Sequence, residues 1–169
     1  DLRLEAELVA SDKDAAELAM IVDLARNDLG RVCRPGSVEV VQHRTIMRLP
    51  TVHHTYSVVA GDLVADTTVG RLLRASFPPG SITGAPKIEA IRAAAAEEPR
   101  RRGVAMGSIG WIDPDGNLEL SVAIRTATVT PGLVTYHAGC GIVAESDPDA
   151  EFDETVAKAQ PFLRAVSGD

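Results

Sequence analysis

Two acidic pairs and one glycine-rich turn hold most of the chemistry this sequence can offer. Asp14 and Glu17 lie three positions apart, as do Glu151 and Glu154. On a helix, that spacing puts both members of a pair on one face. Between the pairs runs Gly80-Ser81-Ile82-Thr83-Gly84-Ala85-Pro86-Lys87. Its glycines let backbone N–H groups converge, and the Ser81 and Thr83 hydroxyls add donors, so an anion could sit there. Two acidic helix faces over an anion-binding turn describe a divalent cation gripping a carboxylate. Magnesium takes oxygen ligands, often one or two carboxylates completed by water and substrate. Glu17 and Glu154 would give one ligand from each helix, and Asp14 and Glu151 would hold metal-bound water. Spacing alone also describes solvated helix faces whose acids favour the positive N-terminal end.

Further polar residues extend the pattern. Arg125 stands in the apolar run Ser121-Val122-Ala123-Ile124-Arg125-Thr126. A strand arginine there either faces outward or is buried against an anion, because an unpaired buried charge is costly. Its planar fork suits a carboxylate. Gly139-Cys140-Gly141 closes another strand-like run, where glycines permit either close backbone approach to a ligand or a β-bulge. His53-His54 falls in a strand, so the two rings point to opposite faces and one of them points inward. A neutral histidine can hydrogen-bond a hydroxyl or shuttle a proton, or it can simply be satisfied in a core. Lys158, four residues after Glu154, is either a surface ion pair or a carboxylate ligand. No nucleophile elbow or serine–histidine–aspartate signature is present.

These residues need elements to position them. Residues 1–10 fit a helical stripe and a strand alternation equally well. Ser11 caps a helix carrying Leu18, Ile21, Val22, Ala25 and Leu29, and Gly30 ends it. Runs from Val38 to Ile46 and from Val52 to Val59 read as strands. Asp66 is expected to cap a helix bearing Leu72, Leu73 and Phe77, ended by Pro78-Pro79. Pro86 suits the first turn of the next helix, closed by Glu97-Glu98-Pro99. Three strands should follow, Val104–Ile112, Leu118–Val129 and Leu133–Val143, as a meander with turns at Asp113-Pro114-Asp115-Gly116 and Pro131-Gly132. Asp147-Pro148 opens a last helix with the stripe Phe152, Val156, Phe162 and Leu163. Helices and strands grouped in runs predict an α+β fold with a mainly antiparallel sheet flanked by helices.

Composition narrows the function classes. The 169 residues are 45% hydrophobic, enough for a real core. A formal net charge of −7 gives no footprint for nucleic acid, and Arg100-Arg101-Arg102 reads as a solvated loop. No apolar run is long enough for a membrane span and no leader opens the sequence, so a cytoplasmic protein is expected. Cys33 and Cys140 have no metal-ligand spacing and read as reduced core thiols.

In order along the chain, these stretches resemble the chorismate-utilising enzyme family. The helix Glu17-Leu18-Ala19-Met20-Ile21-Val22-Asp23-Leu24-Ala25-Arg26-Asn27-Asp28-Leu29, the pair His53-His54 and the turn Ser81–Lys87 each look like a family motif. So do Ala123–Thr126, Ala138–Val143 and Glu154–Ala159. The Ser-Ile-Thr form of the turn resembles the aminodeoxychorismate synthase component I branch, whereas the anthranilate synthase branch usually reads Thr-Leu-Ser. The resemblance implies magnesium on Glu17 and Glu154, with Asp14 and Glu151 acting through water. It implies chorismate as substrate, held at Ser81, Thr83, Gly84, Trp111, Arg125, Gly139, Cys140, Gly141 and Lys158, with His54 at the leaving-group side. Relatives usually carry tyrosine at position 111 and alanine at 140. A glutaminase partner delivering ammonia is implied too. The branch's nucleophilic lysine, in a Pro-Ile-Lys-Gly-Thr motif, and its general-acid glutamate lie upstream of the matched helix, and neither occurs here. Residues 1–169 are therefore expected to be the C-terminal portion of a single chorismate-binding catalytic domain, inactive alone. Anthranilate synthase component I and a non-catalytic chorismate-binding module are the competing readings.

Overall fold

The computed structural model describes residues 2–49, 53–144 and 146–168. The chain divides into two units, Asp1–Ser81 and Ile82–Asp169. The first contains α1 (Leu2–Ala10), α2 (Asp12–Gly30), β1 (Glu39–Arg48), β2 (His53–Ala60) and α3 (Val69–Ser76). A 3-10 turn, Gly80–Ile82, follows at the division. The second unit contains α4 (Lys87–Glu97), β3 (Ser108–Ile112), β4 (Leu118–Val122), β5 (Ala127–Thr130), β6 (Leu133–Tyr136) and α5 (Pro148–Ser167). The α+β class and the antiparallel pairing follow the sequence reading. The sheet does not form as one meander: among the described residues the strands pair as three two-stranded sheets, β1–β2, β3–β4 and β5–β6.

In the first unit the ambiguous opening segment is helical. Ser11 interrupts it and caps α2, its hydroxyl accepting from Asp14 N at 3.2 Å. The β1–β2 register runs from Glu39 opposite Ala60 to Arg48 opposite His53, with irregularities either side of Gln42. Arg44 has φ 50° there, and its N–H donates to Ser57 Oγ. Val52, expected in the second strand, lies outside the described residues. The core of this unit joins the end of α2 to α3: Val32, Cys33 and Ala75 are buried, with Leu29, Val38 and Leu72 packed against them. Hydrogen bonds from Arg34 N to Asp62 O and from Val64 N to Val32 O tie this core to the loop after β2. The helix cap at α3 is Thr68, whose hydroxyl accepts from Arg71 N, and not Asp66. Asp66 instead sits at φ 63° in a turn closed by Thr67 N donating to Val64 O. Phe77 lies past the helix end because the following proline disfavours helical backbone.

In the second unit Pro86 is the residue before α4, with φ −66° and ψ 134°, and Glu98 ends the helix as expected. The third expected strand begins only at Ser108. Residues 103–107 form a turn, with Gly107 N donating to Val104 O and Met106 at φ 62°. The long apolar run from Leu118 breaks after Val122, where Ile124 N donates to Val122 O and Arg125 takes φ 49°. The last strand stops at Tyr136, well short of Val143. Both hairpin turns form where expected. Asp113 accepts from Asn117 and Gly116 at the first, and Pro131-Gly132 joins β5 to β6. Asp147 caps α5 by accepting from Ala150 N at 2.9 Å.

Candidate functional site

The α2 acids occupy the first two turns of their helix. Asp14 is half-buried under its Ser11 cap, and Glu17 is exposed one turn later. Further along α2, Leu24 packs directly on Gly80, the first residue of the glycine-rich turn. A β-carbon at Gly80 would lie 2.7 Å from Leu24 Cβ, so this close approach requires glycine. In β2, alternation turns His53 inward and His54 outward. His53 Nδ1 is buried with no hydrogen-bond partner among the described residues. Nearby, Glu5 of α1 is buried and accepts both Nε and Nη2 of Arg48. The guanidinium holds the Glu5 carboxyl below its usual range. His54, the histidine that resemblance singles out, is exposed on the other face.

From Ile82 onward the glycine-rich turn belongs to the second unit. Gly84 takes φ 114°, a conformation that side chains strain to reach. Thr83 and Gly84 are half-buried, while Ser81, the last residue of the first unit, is exposed. Arg102 donates from Nη1 to Ile82 O at 3.2 Å, and from Nε and Nη2 to the Glu98 carboxylate. In the sequence this pair is hidden, because Arg102 ends a run of arginines that looks solvated. The Glu98-x-x-x-Arg102 spacing was its available signal.

Arg125 is not a strand residue of either orientation. It stands exposed at the left-handed bend between β4 and β5 and makes no ion pair among the described residues. Trp111 projects from β3 opposite Glu119 and is 52% exposed. Gly139-Cys140-Gly141 is likewise not a strand end, but a loop after β6 lying against α5.

That loop and α5 are brought together by several contacts. Cys140 Sγ donates to Glu151 O at 3.3 Å and accepts from the Thr155 hydroxyl at 3.5 Å. Lys158 Nζ donates to Gly139 O at 3.4 Å and pairs with Glu154 at 2.5 Å. Glu151 is only 7% exposed and accepts from Ser146 Oγ at 2.7 Å. Ser146 and Thr155 were missed in the sequence because single hydroxyls carry no spacing signal. The Thr155 hydroxyl pulls the Cys140 thiol toward ionisation, but burial and the Glu151 and Glu154 carboxylates outweigh it and leave its pKa raised. The expected apolar stripe of α5 is mostly exposed. Phe152 and Leu163 face solvent, and Phe162 stacks on Tyr136 with ring centroids 4.2 Å apart.

The acidic pairs thus lie one in each unit. Their donors are hard carboxylate oxygens of the kind magnesium prefers. Glu154 already neutralises one cation, the Lys158 ammonium. Among the described residues no three His, Cys, Asp or Glu side chains gather as a metal site. Within each pair, taken by itself, the carboxylate oxygens are donors of a type that fits magnesium.

Comparison with known proteins places these features in context. Residues 1–164 match the family described as chorismate binding enzyme. Anthranilate synthase component 1 from Streptomyces coelicolor is 47% identical over 166 residues, covering 98% of this chain and 32% of that protein. The crystal structure of anthranilate synthase component I from Streptococcus pneumoniae superposes with a TM-score of 0.82 at 37% identity, over 93% of this chain and 36% of that one. The menaquinone-specific isochorismate synthase from Escherichia coli superposes with a TM-score of 0.83 at 27% identity, over 95% of this chain and 36% of that one. The chain therefore spans about a third of the length of the curated relative it matches.

Proposed function

This chain belongs to the chorismate-binding enzyme family, and on that premise we propose that the protein carrying it converts chorismate as an anthranilate synthase component 1. The observation that carries this reading is the 47% identity, across nearly the whole chain, to a protein of that name. It is preferred over the aminodeoxychorismate synthase reading, which rests on the Ser81-Ile82-Thr83 form of one turn. That turn keeps the second reading in view, because the two activities share almost every other motif and differ in whether pyruvate is eliminated.

In either reading the chain's own residues bind and orient the substrate. Arg125, exposed at its bend, pairs with one carboxylate through its planar fork. Backbone N–H groups of Gly139–Gly141 face the same carboxylate, where the small residues permit close approach. Trp111 offers a ring face without the phenol hydroxyl usual in relatives. The Ser81–Gly84 turn adds hydroxyl and backbone donors. Lys158 stands beside the ring carboxylate, and His54 assists at the leaving-group side. Magnesium, held by Glu17 and Glu154 with Asp14 and Glu151 through water, would supply a positive centre for the ring carboxylate. These groups bind; uniform binding alone does not accelerate the chemical step. No Pro-Ile-Lys-Gly-Thr lysine occurs in the 169 residues, so the chain alone is proposed to bind without turnover. A separate glutamine amidotransferase subunit would deliver ammonia.

The test is to incubate the full gene product with chorismate, magnesium and an ammonium salt. Anthranilate and pyruvate in equal amounts support the leading reading. 4-Amino-4-deoxychorismate without pyruvate supports the second. Unconsumed chorismate overturns both.

A further inference from the structure

Arg102 has a place in the second unit that its sequence context hides. Its neighbours Arg100 and Arg101 are exposed, whereas the Arg102 side chain is 31% exposed and fully engaged. One side of its fork grips the Glu98 carboxylate, with Nε 3.0 and 2.9 Å from the two oxygens and Nη2 2.5 Å from one. The other side donates from Nη1 to Ile82 O. That carbonyl lies inside the glycine-rich turn, next to Thr83 and Gly84. The guanidinium therefore ties the turn at the start of α4 to the residue that ends the helix.

The same short segment reaches a second functional feature through its backbone. Arg102 O accepts from the N–H of buried Ala105, which closes the turn leading to β3. Met106 N then donates to Ala123 O at 2.9 Å, and Ala123 N donates to Gly107 O at 2.8 Å. Ala123 is buried and lies two residues before Arg125. Residues 102–107 thus hold the glycine-rich turn by a side chain and the Arg125 bend by a ladder of backbone bonds.

From this arrangement we infer that Arg102 is a positioning residue, which fixes the Ile82–Gly84 donors in register with the Arg125 guanidinium so that both can engage one dianionic substrate. The inference rests on the reading of those two features as carboxylate-binding. A fork is needed for the task. Five donors in one plane can serve Glu98 and a carbonyl on the opposite side together, which a lysine ammonium cannot do in the same geometry. Glu98 holds the fork in orientation and neutralises it, so the substrate meets the donors of the turn and Arg125, and Arg102 never touches it.

The experiment compares Arg102→Met, Arg102→Lys and the exposed-neighbour control Arg101→Met, each in the full gene product. Hydrogen exchange by mass spectrometry reads the peptide covering Ile82–Lys87, and steady-state kinetics separates KM for chorismate from kcat. R102M should speed exchange in that peptide by about tenfold, the scale of one lost charge-assisted hydrogen bond. It should raise KM by about tenfold while changing kcat by less than about threefold. R102K should fall between R102M and wild type, and R101M should match wild type. If R102M fails to fold, R102K carries the same test. Unchanged exchange, or unchanged KM in a folded Arg102 variant, overturns the inference, as does an R101M effect of equal size. If the wild-type protein binds no chorismate while R102M still loosens the turn, the functional reading fails and the clamp stands.

Discussion

The Cys140 thiol donates to the Glu151 carbonyl and accepts from the Thr155 hydroxyl, and its pKa is raised because burial and Glu151 outweigh that hydroxyl. The thiolate is the reactive form. Iodoacetamide should therefore modify Cys140 more slowly than free cysteine at neutral pH, and the rate should keep climbing above the ordinary thiol range. A mass-spectrometric time course that labels Cys140 as fast as free cysteine would contradict this. Glu98 shows the opposite sign. The Arg102 hydrogen bonds lower its pKa, against a smaller opposing effect of burial. A carboxylate with a lowered folded pKa contributes stability that is fully present above its ordinary value and is lost as pH falls through the folded value. About a third of each partner is exposed, so the contribution is about 0.5–1 kcal/mol after solvent screening. Thermal melts of wild type and Glu98→Gln should differ by that amount at neutral pH and converge in acid. A gap that persists in acid would show that the carboxylate charge is not its source.

At the scale of elements, turn and cap chemistry was legible because it is local. Asp113-Pro114-Asp115-Gly116 specified its hairpin, Asp147 its helix start and Ser11 the cap of α2. Asp147→Ala should cost about 1 kcal/mol, read as a lowered melting midpoint, because Ala150 N loses its acceptor. Strand lengths were not legible. The apolar run from Leu118 to Val129 has strand propensity throughout, yet backbone bonds between Met106, Gly107 and Ala123 end β4 early and turn Arg125 outward. That pairing is set by residues far away in sequence, which propensity does not encode. Gly110 shows the same limit: nothing in a single sequence says that its partner strand passes directly over it. A β-carbon there would collide with the Glu119 carbonyl. Gly110→Ala should cost roughly 2 kcal/mol or more and displace the hairpin that carries Trp111. A melting midpoint equal to wild type, with unchanged Trp111 fluorescence, would mean that the strands separate at no cost. The α2 acids and the Lys158–Glu154 pair followed helical spacing and were readable for that reason.

For the chain as a whole, the balance between buried and exposed apolar surface sets the expectation. Among the described residues the buried hydrophobic ones are small: Val22, Val32, Cys33, Ala75, Ala105 and Ala123. Large apolar side chains stand in solvent on several elements, among them Trp111 on β3, Val129 on β5, Leu133 on β6 and Phe152 on α5. Among the described residues each sheet has two strands, so each strand has an edge that no other described strand covers. Two-stranded sheets are marginal in water without a packed face, and contiguous exposed apolar surface marks a place where other chain normally packs. The relatives are about three times as long as the matched region, so proteins of this family have further chain with which to cover such surface. The 169-residue chain in isolation is therefore expected to bind a hydrophobic dye, to unfold over a broad temperature range and to elute ahead of its monomer mass at micromolar concentration. A monomeric elution with a single sharp transition and no dye binding would show that the two units bury enough surface to stand alone. The exposed side chains would then need a different account from the one that length and pairing suggest.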